Sequence, residues 1–264
     1  FFAEVIDTVE TALRKAGFDL LLYNLGDQEG RSRFFDVMPM RKRVDAVLVA
    51  SLVLSADEIT ALSGLGCPLG LLGLEYPGFL STRIDDAGSA RAAVAHLLAQ
   101  GHRRIALIGG DTDDPMRFTP PLHRQDGYRD ALLAAGIEPD PAMSVLGYFT
   151  IDGGMDASER LLGLPDRPTA IFAESDEMAY GVLRTLRRHK LRVPEDMAVI
   201  GFDDHANAEM MDLSTVRQPV AEQALDVSAR LLAAITATEP PVEDVVLPTE
   251  LIVRGSTDPT RSVD

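Results

Sequence analysis

The sequence predicts an α/β fold built on two parallel sheets, and three observations carry that expectation. The strand candidates at 18–23, 44–50, 68–72, 104–109, 169–173 and 197–202 are continuous runs rich in Ile, Leu and Val. Strands covered by helices on both faces read that way, whereas half-solvated strands alternate. Helical stretches also end at a glycine with a β-rich run directly behind it: Gly17, Gly66 and Gly101 precede 18–23, 68–72 and 104–109. A glycine just past a helix takes the left-handed conformation and frees the next residues to extend. Finally, about ten β segments exceed what one open sheet usually carries. Two lobes place a ligand cleft at the carboxyl ends of their strands.

The elements follow in order. Phe1 and Phe2 open directly into a helical pattern with Val5, Val9, Ala12, Leu13 and Ala16 on one stripe. Two phenylalanines make a poor natural N-terminus, so the chain is expected to begin inside a longer protein. A helix over 85–101 carries Ala90, Val94, Leu97 and Leu98 on one stripe, and another spans 176–188. The short β pieces 79–84, 145–149, 214–217, 245–247 and 251–253 break the simple alternation and are expected to edge or connect the sheets. Residues just after strands are the candidates for the cleft: Ala50, Ser51, Gly73, Leu74, Gly110, Asp111, Glu174, Ser175, Asp176, Asp203 and Asp204.

Composition narrows the function. With 46% hydrophobic and 25% charged residues the chain is globular, and no apolar run approaches the roughly 20 residues of a bilayer-spanning helix. Twenty-five Lys and Arg against 41 Asp and Glu leave a net charge of -16, which phosphate backbones repel. The lone cysteine, Cys67, rules out an internal disulfide and reads as core. No phosphate-binding loop, dinucleotide fingerprint, nucleophile elbow or zinc-protease motif occurs. His96, His102, His123, His189 and His205 show no metal-ligand spacing. No cofactor, metal or catalysis is expected.

Five motifs in order carry a resemblance. Gly101-His102-Arg103-Arg104-Ile105-Ala106-Leu107-Ile108-Gly109-Gly110 comes first, then Ser175-Asp176-Glu177-Met178-Ala179-Tyr180-Gly181. Val193-Pro194-Glu195-Asp196 with Val199-Ile200-Gly201-Phe202-Asp203-Asp204 follows, then Ser214-Thr215-Val216-Arg217-Gln218-Pro219, then Leu247-Pro248-Thr249-Glu250-Leu251-Ile252-Val253-Arg254-Gly255-Ser256-Thr257. Together they resemble the successive signatures of the lactose/galactose-repressor (LacI/GalR) family of bacterial transcription regulators. The resemblance implies a type I periplasmic-binding-protein-like fold of two Rossmann-like subdomains joined by three crossovers. It divides the chain into 1–83 plus 220–245 and 84–219 plus 246–264. The family's helix-turn-helix headpiece, hinge helix and first core strand would precede Phe1, and the basic DNA-reading part lies there.

The resemblance also assigns ligand positions. Arg124 matches the family's ligand-binding arginine, whose fork donates to two hydroxyls or a carboxylate. A helix-surface arginine is the alternative. Asp203 matches the aspartate that accepts ligand hydroxyl protons, with a structural cap as its rival and Asp204 as the expected cap of the next helix. Ser175 binds ligand or caps the helix 176–188. Phe149 offers a face for a sugar or a base, and Gln218 either reaches the ligand or serves the hinge. Phe1, Phe2 and Ser51 belong to the opposite wall. Asp85 and Asp86 stand where relatives carry Asp-Asn, with helix capping favoured over ligand contact. Gly73-Leu74 replaces a hydroxyl-clamping Asp-Arg pair, and His189-Lys190 replaces a helix-stopping glycine.

The function so implied is ligand sensing by a repressor. A small effector, a sugar or sugar derivative first, with a ligand bearing an apolar face, a base or an anion behind it, binds in the cleft and changes operator affinity. The protein acts as a cytoplasmic homodimer. A periplasmic solute-binding protein of a transporter is the alternative.

Overall fold

A computed structural model describes residues 1–41, 44–113, 118–237, 243–258 and 260, with side chains 37–41 left aside. The chain divides into two compact units. Unit 1 comprises Phe1–Ile84, Asp113–Thr119 and Pro219–Leu247; unit 2 comprises Asp85–Thr112, Pro120–Gln218 and Pro248–Asp264. The excursion at Asp113–Thr119 is absent from the expected division. Phe118 explains it: the residue bridges Leu52 across an isolated β-bridge, and its ring lies 6.3 Å from that of Phe2.

Unit 1 holds helices α1 (Phe2–Lys15), α2 (Gln28–Arg41) and α3 (Ala56–Ser63) and strands β1 (Val47–Ala50), β2 (Leu69–Leu72) and β3 (Leu80–Ile84). From the later part of the chain it takes α9 (Val220–Thr236) and β9 (Asp244–Leu247). Its sheet is all parallel, in the order β1-β2-β3-β9. Adjacent strand residues face opposite ways. Leu72 and Leu80 therefore pack on Val5 and Val9 of α1 and Val220, Ala224 and Val227 of α9. Leu69 and Leu71 meet Leu54, Ile59, Leu62 and Leu65 on the other face, with Phe34, Phe35 and Cys67 partly buried against them. Arg31 ties α2 to α3: its Nε donates to Glu58 Oε1 at 2.6 Å and its Nη2 to Glu58 Oε2 at 2.7 Å. Glu58 also closes the Ser55 capping box of α3.

The expected strand over 18–23 does not form. Those residues join no sheet, and Leu21 and Leu22 are 60% and 61% exposed. A strand exists only when a neighbour accepts its ladder, and no described residue pairs with this run.

Unit 2 contains α4 (Asp86–Ala99), β4 (Ile105–Gly109), α5 (Pro120–Ala134), β5 (Ser144–Leu146), α6 (Ile151–Leu162), β6 (Ala170–Ala173) and α7 (Asp176–Arg188). It continues with β7 (Ala198–Asp203), α8 (Ala206–Met210), β8 (Ser214–Arg217) and β10 (Glu250–Ile252). The sheet runs β10-β8-β7-β6-β4-β5, parallel except for β10 against β8. One face, with Ile108, Ile171 and Val199, packs on α6 and α7; helices α4 and α5 run beside each other, α4 against β6, β8 and β10 and α5 against β4. Gly127 lets α4 and α5 approach: a Cβ there would lie 2.1 Å from the carbonyl oxygen of Ala87.

The expected helix stops hold. Gly17, Gly66 and Gly101 adopt φ of +83°, +69° and +95°. Lys190, which the resemblance puts in place of a glycine, sits at φ 57° and bears the steric cost of a side chain in that region. The Arg-Gly-Ser-Thr ending fastens the sheet. Ser256 Oγ donates to the Val199 carbonyl at 2.7 Å and accepts from the Ser214 amide at 2.7 Å, and Thr257 Oγ1 lies 2.7 Å from Ser214 Oγ. Among the described residues no helix is long and apolar enough to cross a membrane.

Candidate functional site

The carboxyl ends of β4, β6, β7 and β8 converge on one buried polar cluster in unit 2, the position where open α/β sheets bind ligands. Four backbone facts build it. Strand β7 ends in Asp203 at φ 119°, followed by Asp204 at φ 57°. Beyond β6 the chain runs Glu174, Ser175, Asp176 into the first turn of α7. Helix α4 opens on Asp85 and Asp86, and α5 carries Arg124 on its buried side.

Arg124 organises the cluster. Its side chain is buried, with Nε donating to Asp86 Oδ1 at 2.8 Å and Nη1 donating to the Glu174 carbonyl oxygen. Nη1 also lies 3.9 Å from Asp203 Oδ1, and the guanidinium sits 3.6 Å from the centroid of the Phe202 ring. Nη2 has no hydrogen-bond partner among the described residues. Gln218 Nε2 donates to Asp203 Oδ1 at 2.5 Å, and His205 Nε2 stands 3.6 Å from Asp203 Oδ2. A donor edge of Arg124 thus lies beside an acceptor carboxylate held in place by Gln218. A hydroxyl, which donates and accepts, can use both.

Two more carboxyls are buried close by. The Glu174 side chain is 1% exposed, with Oε2 accepting from the Gly110 amide at 2.9 Å. Burial pushes its pKa up to about 8, against the pull of Gly110 and Arg124. Asp176 accepts from Thr215 Oγ1 at 2.6 Å and from the His205 amide at 2.8 Å. Burial, aided by Asp203, raises it to about 7 despite those bonds. Burial also raises Asp203, with Arg124 opposing.

The sequence-derived candidates fall into three groups. Arg124, Asp203 and Gln218 come together. Ser175 caps α7, its Oγ accepting from the Met178 amide at 3.3 Å, and Phe149 at φ 56° lays its ring against Gly110, so both border the cluster through Glu174 and Gly110. A Cβ on Gly110 would lie 2.3 Å from that ring. Phe1, Phe2 and Ser51 belong to unit 1. There the rings of Phe1 and Phe2 meet edge-on at 5.1 Å, Phe2 is 48% exposed, and Ser51 is buried at φ 53°.

One expectation needs correction. Asp204 does not cap α8: it pairs with Arg217 at 2.7 Å and Arg254 at 2.8 Å, and the residue before α8, His205, makes no side-chain cap bond. Two arginines, one on β8 and one beyond β10, bind it more strongly than one backbone amide would. The capping expected of the Asp85-Asp86 pair holds at Asp85, which caps α4 through the Gly88 amide at 2.8 Å, while Asp86 holds Arg124. Two of the three Arg124 nitrogens, Nε and Nη1, are already engaged. Glu174 stood among the strand-end residues in the sequence, without a signal for its burial.

A family model described as a periplasmic binding protein-like domain matches residues 94–257. That is the class of ligand-sensing domain to which the fold belongs. The chain is 32% identical over 264 residues to the HTH-type transcriptional repressor CytR of Escherichia coli strain K12, covering 97% of this chain and 75% of that protein. It is 35% identical to the HTH-type transcriptional regulator CelR of Thermobifida fusca, covering 97% of this chain and 76% of that protein. A solved structure, the transcriptional regulator CelR-cellobiose complex, is similar with TM-score 0.83 at 36% identity, covering 97% of this chain and 78% of that one. The chain belongs to the LacI/GalR family of transcriptional regulators and is the ligand-sensing domain of such a regulator.

Proposed function

We propose that this domain binds a small hydroxyl-bearing effector, a sugar or sugar derivative, at the Arg124–Asp203–Gln218 cluster and couples its occupancy to operator binding by the whole regulator. The observation that carries the reading is the pairing of the Arg124 donor edge with the Asp203 carboxylate at the ends of the unit 2 strands. The CelR-cellobiose complex shows a relative with a sugar bound. The domain acts by binding and not by catalysis, as a homodimer in the cytoplasm, where operator DNA is found. An effector that binds one conformation better shifts the population towards it, and a coupling of roughly 1–3 kcal/mol changes DNA affinity about five- to 150-fold.

Calorimetry with a panel of sugars, polyols and nucleosides tests the assignment on the parent and on Asp203→Asn. Asparagine has the shape of aspartate and keeps an acceptor for Gln218 Nε2 while removing the charge. Binding to the parent with loss in the variant is expected; equal affinity in both refutes the site.

A further inference from the structure

Resting on that reading of the site, we infer that the group this cluster takes is uncharged: anionic derivatives of the effector, such as uronates and phosphate esters, are rejected. An arginine in a ligand site usually reads as an anion receptor, because its planar fork matches carboxylate and phosphate. Here two of its three nitrogens are already engaged. Asp86 takes Nε at 2.8 Å, the Glu174 carbonyl takes Nη1, and Phe202 covers one face of the guanidinium at 3.6 Å. A ligand carboxylate could take the side-on pair of Nε and Nη2 only by displacing Asp86, whose side chain is itself buried and would be left as an uncompensated charge.

The surrounding charges point the same way. The groups facing Arg124 are Asp86 from α4 and Asp203 from β7; Glu174 from β6 and Asp176 from α7 lie just beyond, and His205 stands beside Asp203. Even with Glu174 protonated, the ion-paired core has one guanidinium against two carboxylates. An anion entering beside Asp203 meets a like charge at roughly 4–5 Å, which at the effective dielectric of such sites weakens binding on the order of 100-fold. A hydroxyl meets none of this, since it gives its proton to Asp203 and takes one from Arg124 Nη2. Arg124 is a neutralised hydrogen-bond donor, and Asp86 makes it one.

The test uses matched pairs on the full chain by thermal shift and calorimetry: glucose and glucuronate, galactose and galacturonate, ribose and ribose 5-phosphate, cytidine and cytidine monophosphate. Expected is a neutral member that binds while its anionic partner binds on the order of 100-fold more weakly. In Asp86→Asn, which keeps an acceptor for Arg124 Nε but removes the charge that neutralises it, that discrimination should fall at least about tenfold by gain of affinity for the anion. An anionic member that binds as tightly as its neutral partner overturns the inference, as does a panel with no neutral binder. Asp203→Asn run in parallel separates the two failures. Loss of the anion's binding in that variant leaves the site standing and only the charge rule fallen, and unchanged binding removes the site itself.

Discussion

Replacing Glu174 by glutamine should change how the stability of this protein depends on pH. The Glu174 carboxyl is fully enclosed, and its pKa rises from 4.5 to about 8. Between those values the folded chain holds a proton that the unfolded chain releases, so stability falls as pH rises. The contribution of burying the neutral acid is complete below pH 4.5 and is lost as pH rises through 8. At 1.36 kcal/mol per pH unit, the loss reaches about 3 kcal/mol at pH 7 and about 5 kcal/mol above pH 8. Glutamine keeps the shape and an acceptor for the Gly110 amide but has no proton to lose. Urea unfolding of parent and Glu174→Gln, followed by circular dichroism from pH 5 to pH 9, isolates the effect. Contributions from His96 and His102, whose pKa values burial lowers, occur in both proteins and cancel. The variant should gain on the parent steadily with pH, whatever constant offset the amide introduces. A difference flat to within about 0.5 kcal/mol across that range would refute the account of Glu174 as a buried neutral acid.

Other perturbations follow from the same contacts. Asp203→Asn should weaken effector binding by about 10- to 150-fold, the worth of a hydrogen bond to a charged group, with an unchanged circular dichroism spectrum. Arg31→Met strands Glu58 and should destabilise unit 1 by about 2–4 kcal/mol. Because Arg31 lowers the Glu58 pKa, the parent loses that pair's stability as pH falls below the usual glutamate value, and the variant's unfolding midpoint should lack this acid-side loss. Gly127→Ala forces α4 and α5 apart and should cost about 1–3 kcal/mol, read as a lower melting temperature than a surface alanine control gives.

The layered architecture was legible because its signals are local. A glycine that must turn left-handed at 17, 66 or 101, or an apolar run at 105–109, states its role within a few residues. What escaped depends on partners far along the chain. The run at 18–23 has a strand's composition, but pairing is a property of two segments and composition describes one. Asp204 looks like a helix cap until Arg217 and Arg254 arrive from β8 and from beyond β10. Asp85 and Asp86 are chemically identical, and only the position of Arg124 on α5 decides which one leaves capping for the cluster. Arg124, Asp203 and Gln218 could be singled out through the family resemblance. The enclosure of Glu174 could not, because nothing in a residue's neighbours along the chain reports the helices that cover it.

The discontinuous make-up of both units has a consequence for synthesis. Unit 1 starts at Phe1 but takes α9 and β9 from Pro219–Leu247, and unit 2 starts at Asp85 but receives β10 and the Ser256–Thr257 clasp after Pro248. A ribosome adding roughly 5–20 residues each second therefore exposes unfinished sheets for many seconds. Unit 1 cannot complete its sheet before β9 is made, nor unit 2 before β10. Nascent chains of this protein should stay sensitive to protease until β9, β10 and the Ser256–Thr257 clasp have emerged, and then both units should become resistant almost together. Termination before Ser256 would leave a polypeptide that chaperones hold and proteases clear.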